Sequence, residues 1–339
     1  AGRGGRGGGG EDGRPPRRRR PRYAFRRVLV LLLVLLLVWI GGLLWAALAS
    51  WNSVERVAAT PPDEGRPAAG SGSTFLLVGT DGRENLTREE RNELVTGHET
   101  DSVRADTIML LHLPSGEEPV LVSLPRDSYL EVPGYGAEKL NSAYPLGGPE
   151  LLVRTVEQAT GMRLDGYLEI GFGGFVDVVQ TVDGVHMCLE EAVEDERTRL
   201  QLEAGCQELA GTEALKYVRM RYSDPRGDLG RVERQRQFLS ALVAEMASPG
   251  IVLVPWRLHE VGTATGSAMS IGEDTSMLDT ARMALGMRKV SNGEGQSVTV
   301  PVADPNYQTH AGSSVLWDEE GAAELFEALR TGAPLSVEP

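Results

Sequence analysis

"DTIMLLHLPSGEEPVLVSLPRDS", residues 106–128, holds two short apolar runs, at 106–113 and 119–125, and then stops on a charged pair, Arg126 and Asp127. Each run has the length of a buried strand and is bounded by glycine, proline and polar residues. Charges just beyond an apolar strand stand where sheet proteins present their ligand contacts. A third run, "TFLLVG" (74–79), precedes them and leads into "GTDGRE" (79–84), while the run at 106–113 is entered through "RADT" (104–107). Asp81 therefore closes one predicted strand and Asp106 opens another.

Further along, "PELLVRTVEQAT" (149–160) has helical spacing and a glycine stop at Gly161. "GYLEIG", "FGGFVDVVQTVDG" and "GVHMCLE" predict strand, helix, strand. "TEALKYVR", "GRVERQRQFLSALVAEMA" and "TSMLDTARMALGMRKV" predict helices, "SVTVPV" (297–302) a late strand and "DEEGAAELFEALR" a closing helix. This alternation predicts an α/β fold, a mixed central sheet with helices on both faces. The expected division is a catalytic domain at 74–250 with residues 251–339 as a C-terminal extension packed on it.

Upstream the composition changes. The chain carries 34 basic and 48 acidic residues, but residues 1–50 hold ten arginines against Glu11 and Asp12, which leaves the remainder strongly acidic. Between them lies "VLVLLLVLLLVWIGGLLWAALA" (28–49), uncharged and long enough as a helix, about 33 Å, to cross a bilayer. The basic flank predicts residues 1–27 as a disordered cytoplasmic tail, and Trp39, Trp45 and Trp51 suit the outer interface. The acidic body is expected outside the cell. "ALA" at 47–49 resembles a signal cleavage site, but the apolar stretch exceeds a signal h-region and predicts a retained single-pass anchor. Residues 50–73, with "TPPDEGRPAAGSGS", read as a flexible linker.

Cys188 and Cys206 are the only cysteines. In an oxidising compartment a lone pair in one domain reads first as a disulfide, with two buried thiols as the alternative. The five histidines are scattered without metal-ligand spacing, and no nucleophile elbow, phosphate-binding P-loop or dinucleotide fingerprint occurs.

The densest positive charge is "RMRYSDPRGDLGRVERQRQF" (219–238). If "RMR" is extended, Arg219 and Arg221 share a side. If a helix starts at Asp228, a plausible N-cap, Arg231, Arg234, Gln235 and Phe238 share a face. Guanidinium forks beside a helix start suit a phosphate. A solvated charged face is the plainer reading, and nucleic-acid binding conflicts with the acidic body. Asp81 and Asp106 near such arginines could hold a divalent cation against a phosphate, or could simply cap turns.

Taken together, "FLLVGTD", "RADTIML", "SLPRDS", "KLNSAYPLGG", "GYLEI", "VDGV", "GTEALKYVRMR" and "GDLGRVERQRQF" resemble, in order, the LytR-CpsA-Psr family of Gram-positive cell-envelope proteins. The resemblance covers about residues 74–245. It implies a membrane-anchored phosphotransferase moving a glycopolymer from a polyprenyl-pyrophosphate carrier onto peptidoglycan. It implies pyrophosphate-binding and catalytic roles for Arg126, Arg219, Arg221 and Arg231, with Gln235 beside them. Asp81 and Asp106 become metal ligands for Mg²⁺ or Mn²⁺, with Asp106 also catalytic. The implied partners are the lipid-linked donor, the peptidoglycan acceptor and the membrane, with no nucleic acid. A protein that binds polyprenyl phosphates without turnover and a transcriptional attenuator are the alternatives.

Overall fold

The computed structural model describes residues 22–82, 103–196, 198–220 and 228–335, without the side chains of residues 22, 24, 228–233, 235 and 236. The chain divides into two compact units, one ending at Gly42 and the other beginning at Leu43. The long apolar run forms helix α1, Arg22–Ser53, the one helix among the described residues that is long and apolar enough to cross a membrane.

The second unit is built on a seven-stranded mixed sheet. Its strands are β1 (Glu55–Val57), β2 (Ser73–Thr80), β3 (Ala105–Leu113), β4 (Val120–Leu124), β7 (Gly166–Gly171), β12 (Met269–Gly272) and β13 (Gln296–Thr299), while β5 (Tyr129–Val132) and β6 (Gly136–Lys139), β8 (Val185–Leu189) and β11 (Gly205–Leu209), β9 (Val193–Asp195) and β10 (Leu200–Leu202), and β14 (Val302–Thr309) and β15 (Gly312–Trp317) pair outside it. The seven lie in the order β1-β12-β7-β2-β3-β4-β13. The central strands β2, β3 and β4 carry unbroken apolar runs in their middles because both faces are covered. Leu76, Val78, Ile108, Leu110, Val122 and Leu124 share one core with Leu152, Val153 and Val156 of α2 (Ala143–Thr160). Leu325, Phe326 and Leu329 of the last helix, Glu319–Thr331, complete that core. The alternate residues Phe75, Met109, Leu111 and Leu121 meet Met283 and Val290 of the helix Met277–Ser291 on the other face.

A further core joins α3 (Phe172–Thr181), α4 (Gly211–Arg219), α5 (Asp228–Met246) and α6 (Pro255–Ser267) to a hairpin of Val185–Leu189 and Gly205–Leu209. In that hairpin Cys188 stands directly opposite Cys206, and the two form the expected disulfide.

Two expectations about domain boundaries are corrected. Residues 55–73 are not a flexible linker: β1 pairs with β12 in parallel, Ala59 lies in the core, and Arg66 reaches a buried carboxylate on α2. Arg66 donates to Glu157 at 3.0 and 2.6 Å and to the carbonyl of Leu164 at 2.8 Å, while Glu157 also accepts from the Leu164 N–H at 2.8 Å. Nor does the fold break at residue 250, since β12 and β13 fill positions in the sheet. Both follow from one cause: the sheet's outer strands are short segments recruited from the two ends of the sequence.

Candidate functional site

Strand direction decides where the charged residues meet. β7 runs parallel to β2, β3 runs antiparallel to β2 and to β4, and β13 runs parallel to β4. One edge of the sheet therefore gathers the C-terminal ends of β2, β4, β7 and β13 with the N-terminal end of β3. β12 is antiparallel to β7 and parallel to β1, so the same edge receives the start of β1, two residues after the end of α1.

At this edge lies a polar cleft of about 480 Å³, lined by Asp81, Arg104, Asp106, Arg126, Asp127 and Lys139 together with Asn141, Ser142, Pro145 and Ala311. That volume is typical of a small-ligand site. Each charged side chain has a local reason to be there. Gly79 pairs with Thr107 but Thr80 pairs with Ala105, which leaves Asp106 as an extra residue in β3. A bulge of this kind releases a side chain from strand alternation and re-aims it. Beyond the bulge, Asp81 Oδ1 accepts from the Arg104 N–H at 2.6 Å, and the Asp81 N–H returns a bond to the Arg104 carbonyl at 3.0 Å.

The turn after β4 is fixed from three sides. Ser128 N–H donates to Pro125, Asn141 N–H to the Arg126 carbonyl and Val315 N–H to the Asp127 carbonyl, at 3.0, 2.9 and 2.8 Å. Trp317 Nε1 donates to Ser128 Oγ at 2.8 Å. Arg126, aimed by this frame, pairs through Nη1 with Asp106 and through Nε, at 3.4 Å, with Asp127. Lys139, on the strand Gly136–Lys139, reaches the other Asp127 oxygen at 3.2 Å. Burial acts to lower the pKa of Arg126, but the charges and hydrogen bonds of Asp106 and Asp127 outweigh it and hold the pKa above its ordinary value. The cleft thus sets three cations among three carboxylates, a pattern suited to an anion accompanied by a cation.

Behind Asp81 sits a second polar group. Glu169 of β7 accepts from Tyr144 at 2.7 Å, Tyr167 at 2.6 Å and Thr80 at 3.2 Å. Burial, then the neighbouring charge of Glu169, pushes the Tyr167 phenol well above its usual pKa, so it stays protonated as a donor. This network ties the last residue of β2 to the first turn of α2.

Arg219 reaches the same edge by another route. The helix predicted over "TEALKYVR" is present as α4 and ends on Arg219, so of the two alternatives for "RMR" the extended backbone begins only at Met220. Its guanidinium lies 4.7 Å over the ring of Phe172. Phe172 follows Gly171, the partner of Thr80 in the β2–β7 ladder. Arg219 is not among the residues lining the cleft itself. Arg221 lies outside the described residues, as do the side chains of Arg231 and Gln235. α5 does begin at Asp228. Arg234 turns inward, donating to the Met220 carbonyl at 2.9 Å, and Phe238 is buried against Phe175. Arg234 and Phe238 therefore belong to the core.

Arg104 and Lys139 were not singled out by the sequence. Lys139 sits on a strand, "GAEK", with no apolar run to announce it. Its position two residues before Asn141 in "KLNS" is the one available signal.

The LytR_cpsA_psr family model matches residues 49–331. The chain is 44% identical over 288 residues to a probable cell wall biosynthesis protein, LcpB, of Corynebacterium glutamicum, covering 85% of this chain and 66% of the relative. It is 37% identical over 155 residues, 44% of this chain and 48% of the relative, to the polyisoprenyl-teichoic acid–peptidoglycan teichoic acid transferase TagU of Oceanobacillus iheyensis. The chain therefore spans less than two thirds of the length of these relatives. Among solved structures, a LytR-Csp2A-Psr enzyme from Actinomyces oris shares the fold, with a TM-score of 0.59, 21% identity, and coverage of 82% of this chain and 96% of that one.

Proposed function

The chain belongs to the LytR_cpsA_psr family, and from that premise we propose that it transfers a glycopolymer from a polyprenyl-pyrophosphate carrier to peptidoglycan in cell wall assembly. The observation that carries this reading is the convergence of Asp81, Arg104, Asp106, Arg126, Asp127 and Lys139 on one cleft. It is supported by relatives named for cell wall biosynthesis and teichoic acid transfer.

Arg126 donates to the diphosphate, with its orientation set by Asp106 and Asp127 before substrate arrives. Lys139 and Arg104 add positive charge along the same wall, and Arg219, Arg221 and Arg231, with Gln235, complete the grip. A hydroxyl of the glycan acceptor attacks the phosphorus attached to the glycan, and polyprenyl phosphate leaves. The work is positioning and stabilisation of phosphoryl charge. Asp81 and Asp106 fit a divalent cation, since each has one oxygen engaged in the protein and both stand in the same polar cleft. Mg²⁺ or Mn²⁺ held there would neutralise phosphoryl oxygens, in keeping with a cation bound by one or two carboxylates and a phosphate.

The isoprenoid chain requires an apolar path. Met109, Leu121, Leu239, Met287 and Val290, with Ser123, Ser291 and Ser297, line a gap of about 10 Å³ between the sheet and its covering helices, room for one water. α1 anchors the chain in the membrane with its basic flank inside and the second unit outside. The disulfide on an exposed hairpin agrees with an oxidising compartment.

The test is transfer by the full chain in detergent, supplied with lipid-linked glycan, Mg²⁺ and peptidoglycan. Arg126→Ala and Arg219→Ala should each cut transfer by about 10²-fold or more with an unchanged melting temperature. Transfer at the unsubstituted rate would reject the assignment. Lipid bound by the unsubstituted chain with no product, across several acceptors, would replace the enzyme with a carrier-binding protein.

A further inference from the structure

The end of α1 and the whole of α6 form matching units. Each helix feeds directly into a strand at one side of the sheet, α1 into the outermost strand β1 and α6 into its neighbour β12, and the two strands pair in parallel. Between Trp45 and Ser53 the end of α1 runs beside α6 in the same direction. Trp45 stacks on His259 with ring centroids 4.4 Å apart, and Ser53 Oγ donates to the Thr263 carbonyl at 3.2 Å. Ala46 is fully buried. A Cβ on Gly262 would fall 2.0 Å from Ser50 Oγ, and one on Gly266 would fall 2.6 Å from the Ser50 carbonyl oxygen. The approach is close enough to require both glycines.

This register has a consequence for the residues just before His259. Gly262 and Gly266 lie against Ser50 and Ser53, and His259 lies against Trp45, so Trp256, one turn before His259, lies at the opposite end of the paired segment from the strands, level with Trp45 or beyond it. The side chains there are apolar and exposed: Trp256 at 71%, Leu253 at 51% and Val252 at 41%. Trp45, beside them, is 57% exposed. Arg257 is turned away to Asp183 at 2.7 Å and Glu260 at 3.1 Å. An apolar cluster of this kind on an otherwise acidic unit marks an interaction surface, and tryptophan favours the boundary between headgroups and acyl chains.

We propose that Val252, Leu253 and Trp256 form a second membrane contact, seated in the headgroup–acyl boundary of the leaflet that Trp45 reaches. The inference rests on reading α1 as a membrane anchor. What it adds is a second foothold beside the helix, which stops the unit from swivelling about α1. The same contact sets the orientation of the sheet edge that carries the cleft, because β1 starts from that edge.

The full chain in lipid nanodiscs tests this with spin labels on single added cysteines, since the native pair is closed in a disulfide. Leu253→Cys reports the proposed contact, Leu36→Cys the anchor, and Ser115→Cys, exposed at the far end of β3, bulk water. The label at 253 should be several-fold less accessible to a water-soluble nickel chelate than the label at 115 and more accessible to oxygen. Adding Trp256→Glu should return it to the accessibility of 115. If 253 matches 115 while 36 is shielded, the second contact is wrong and the anchor stands. If 36 is itself open to the chelate, the anchor reading fails and the proposal with it. Shielding at 253 that survives Trp256→Glu would also overturn the proposal, because something other than lipid contact would be covering the label.

Discussion

Replacing Glu157 with alanine tests whether residues 58–70 are part of the folded unit. The carboxylate is 2% exposed and its partner, the Arg66 side chain, 6%. Three contacts join Glu157 to Arg66, at 3.2, 3.0 and 2.6 Å, and a fourth bond comes from the Leu164 N–H. Glu157→Ala removes all four. Arg66 keeps the Leu164 carbonyl and a distant Asp63 oxygen at 3.8 Å, neither of which balances a buried guanidinium. Breaking a buried pair from one side costs about 3–5 kcal/mol. In a unit of this size each kcal/mol moves the melting temperature by about 2–4 °C, so a fall on the order of 10 °C is expected. Thermal unfolding of the full chain in detergent, followed by intrinsic fluorescence, reads it directly. The paired replacement Arg66→Met with Glu157→Leu should recover most of the loss, since an apolar pair of similar volume avoids desolvating two charges. A fall of less than about 2 °C for Glu157→Ala would refute the reasoning and return the segment to the status of a loose connector.

Other outcomes follow from the same structure. Reducing the disulfide, or replacing both Cys188 and Cys206 with alanine, should cost about 3 kcal/mol by loop entropy, read as a lower denaturation midpoint. Burial holds the His112 pKa below its ordinary value, and Nδ1 rests on Thr74 Oγ1 at 2.9 Å. The unfolded chain therefore takes up the proton first: stability is complete above about pH 6.5 and falls as the pH drops through that value toward the folded pKa. A melting temperature measured from pH 7.5 to 5.5 should show this slope, and His112→Leu should flatten it. Glu169→Gln should lower transfer while sparing most of the stability, because the amide oxygen still accepts from Tyr167 but loosens the hold on Thr80 and Tyr144 behind Asp81. A variant with full transfer would remove that network from the site.

Much of the sheet was readable from the sequence because β2, β3 and β4 are buried on both faces, and the chain announces this with unbroken apolar runs. Asp81, Asp106 and Arg126 were readable for the same reason, as the charges at which those runs stop. What escaped reading depends on partners far away in sequence. β1, "ERV", carries no strand signal of its own and exists because β12, more than two hundred residues later, pairs with it. The bulge that re-aims Asp106 is a mismatch between two strands and is written in neither alone. The helical spacing of "TEALKYVR" carries through Arg219, and only Arg219 and Arg221 sharing an extended side could not be read from "RMR" alone. The hairpin of Val302–Thr309 and Gly312–Trp317, which brings Ala311 to the cleft, is mostly exposed and lacks an apolar pattern over its first strand.

A soluble version of this protein cut at the start of β2, where the low-complexity stretch invites the cut, would lose the outermost strand of the sheet. β12 would then display a bare row of amide and carbonyl groups to water, the condition under which one molecule adds itself to the next. A preparation beginning before Glu55 should stay monodisperse, and one beginning at residue 73 should grow into higher oligomers as its concentration rises.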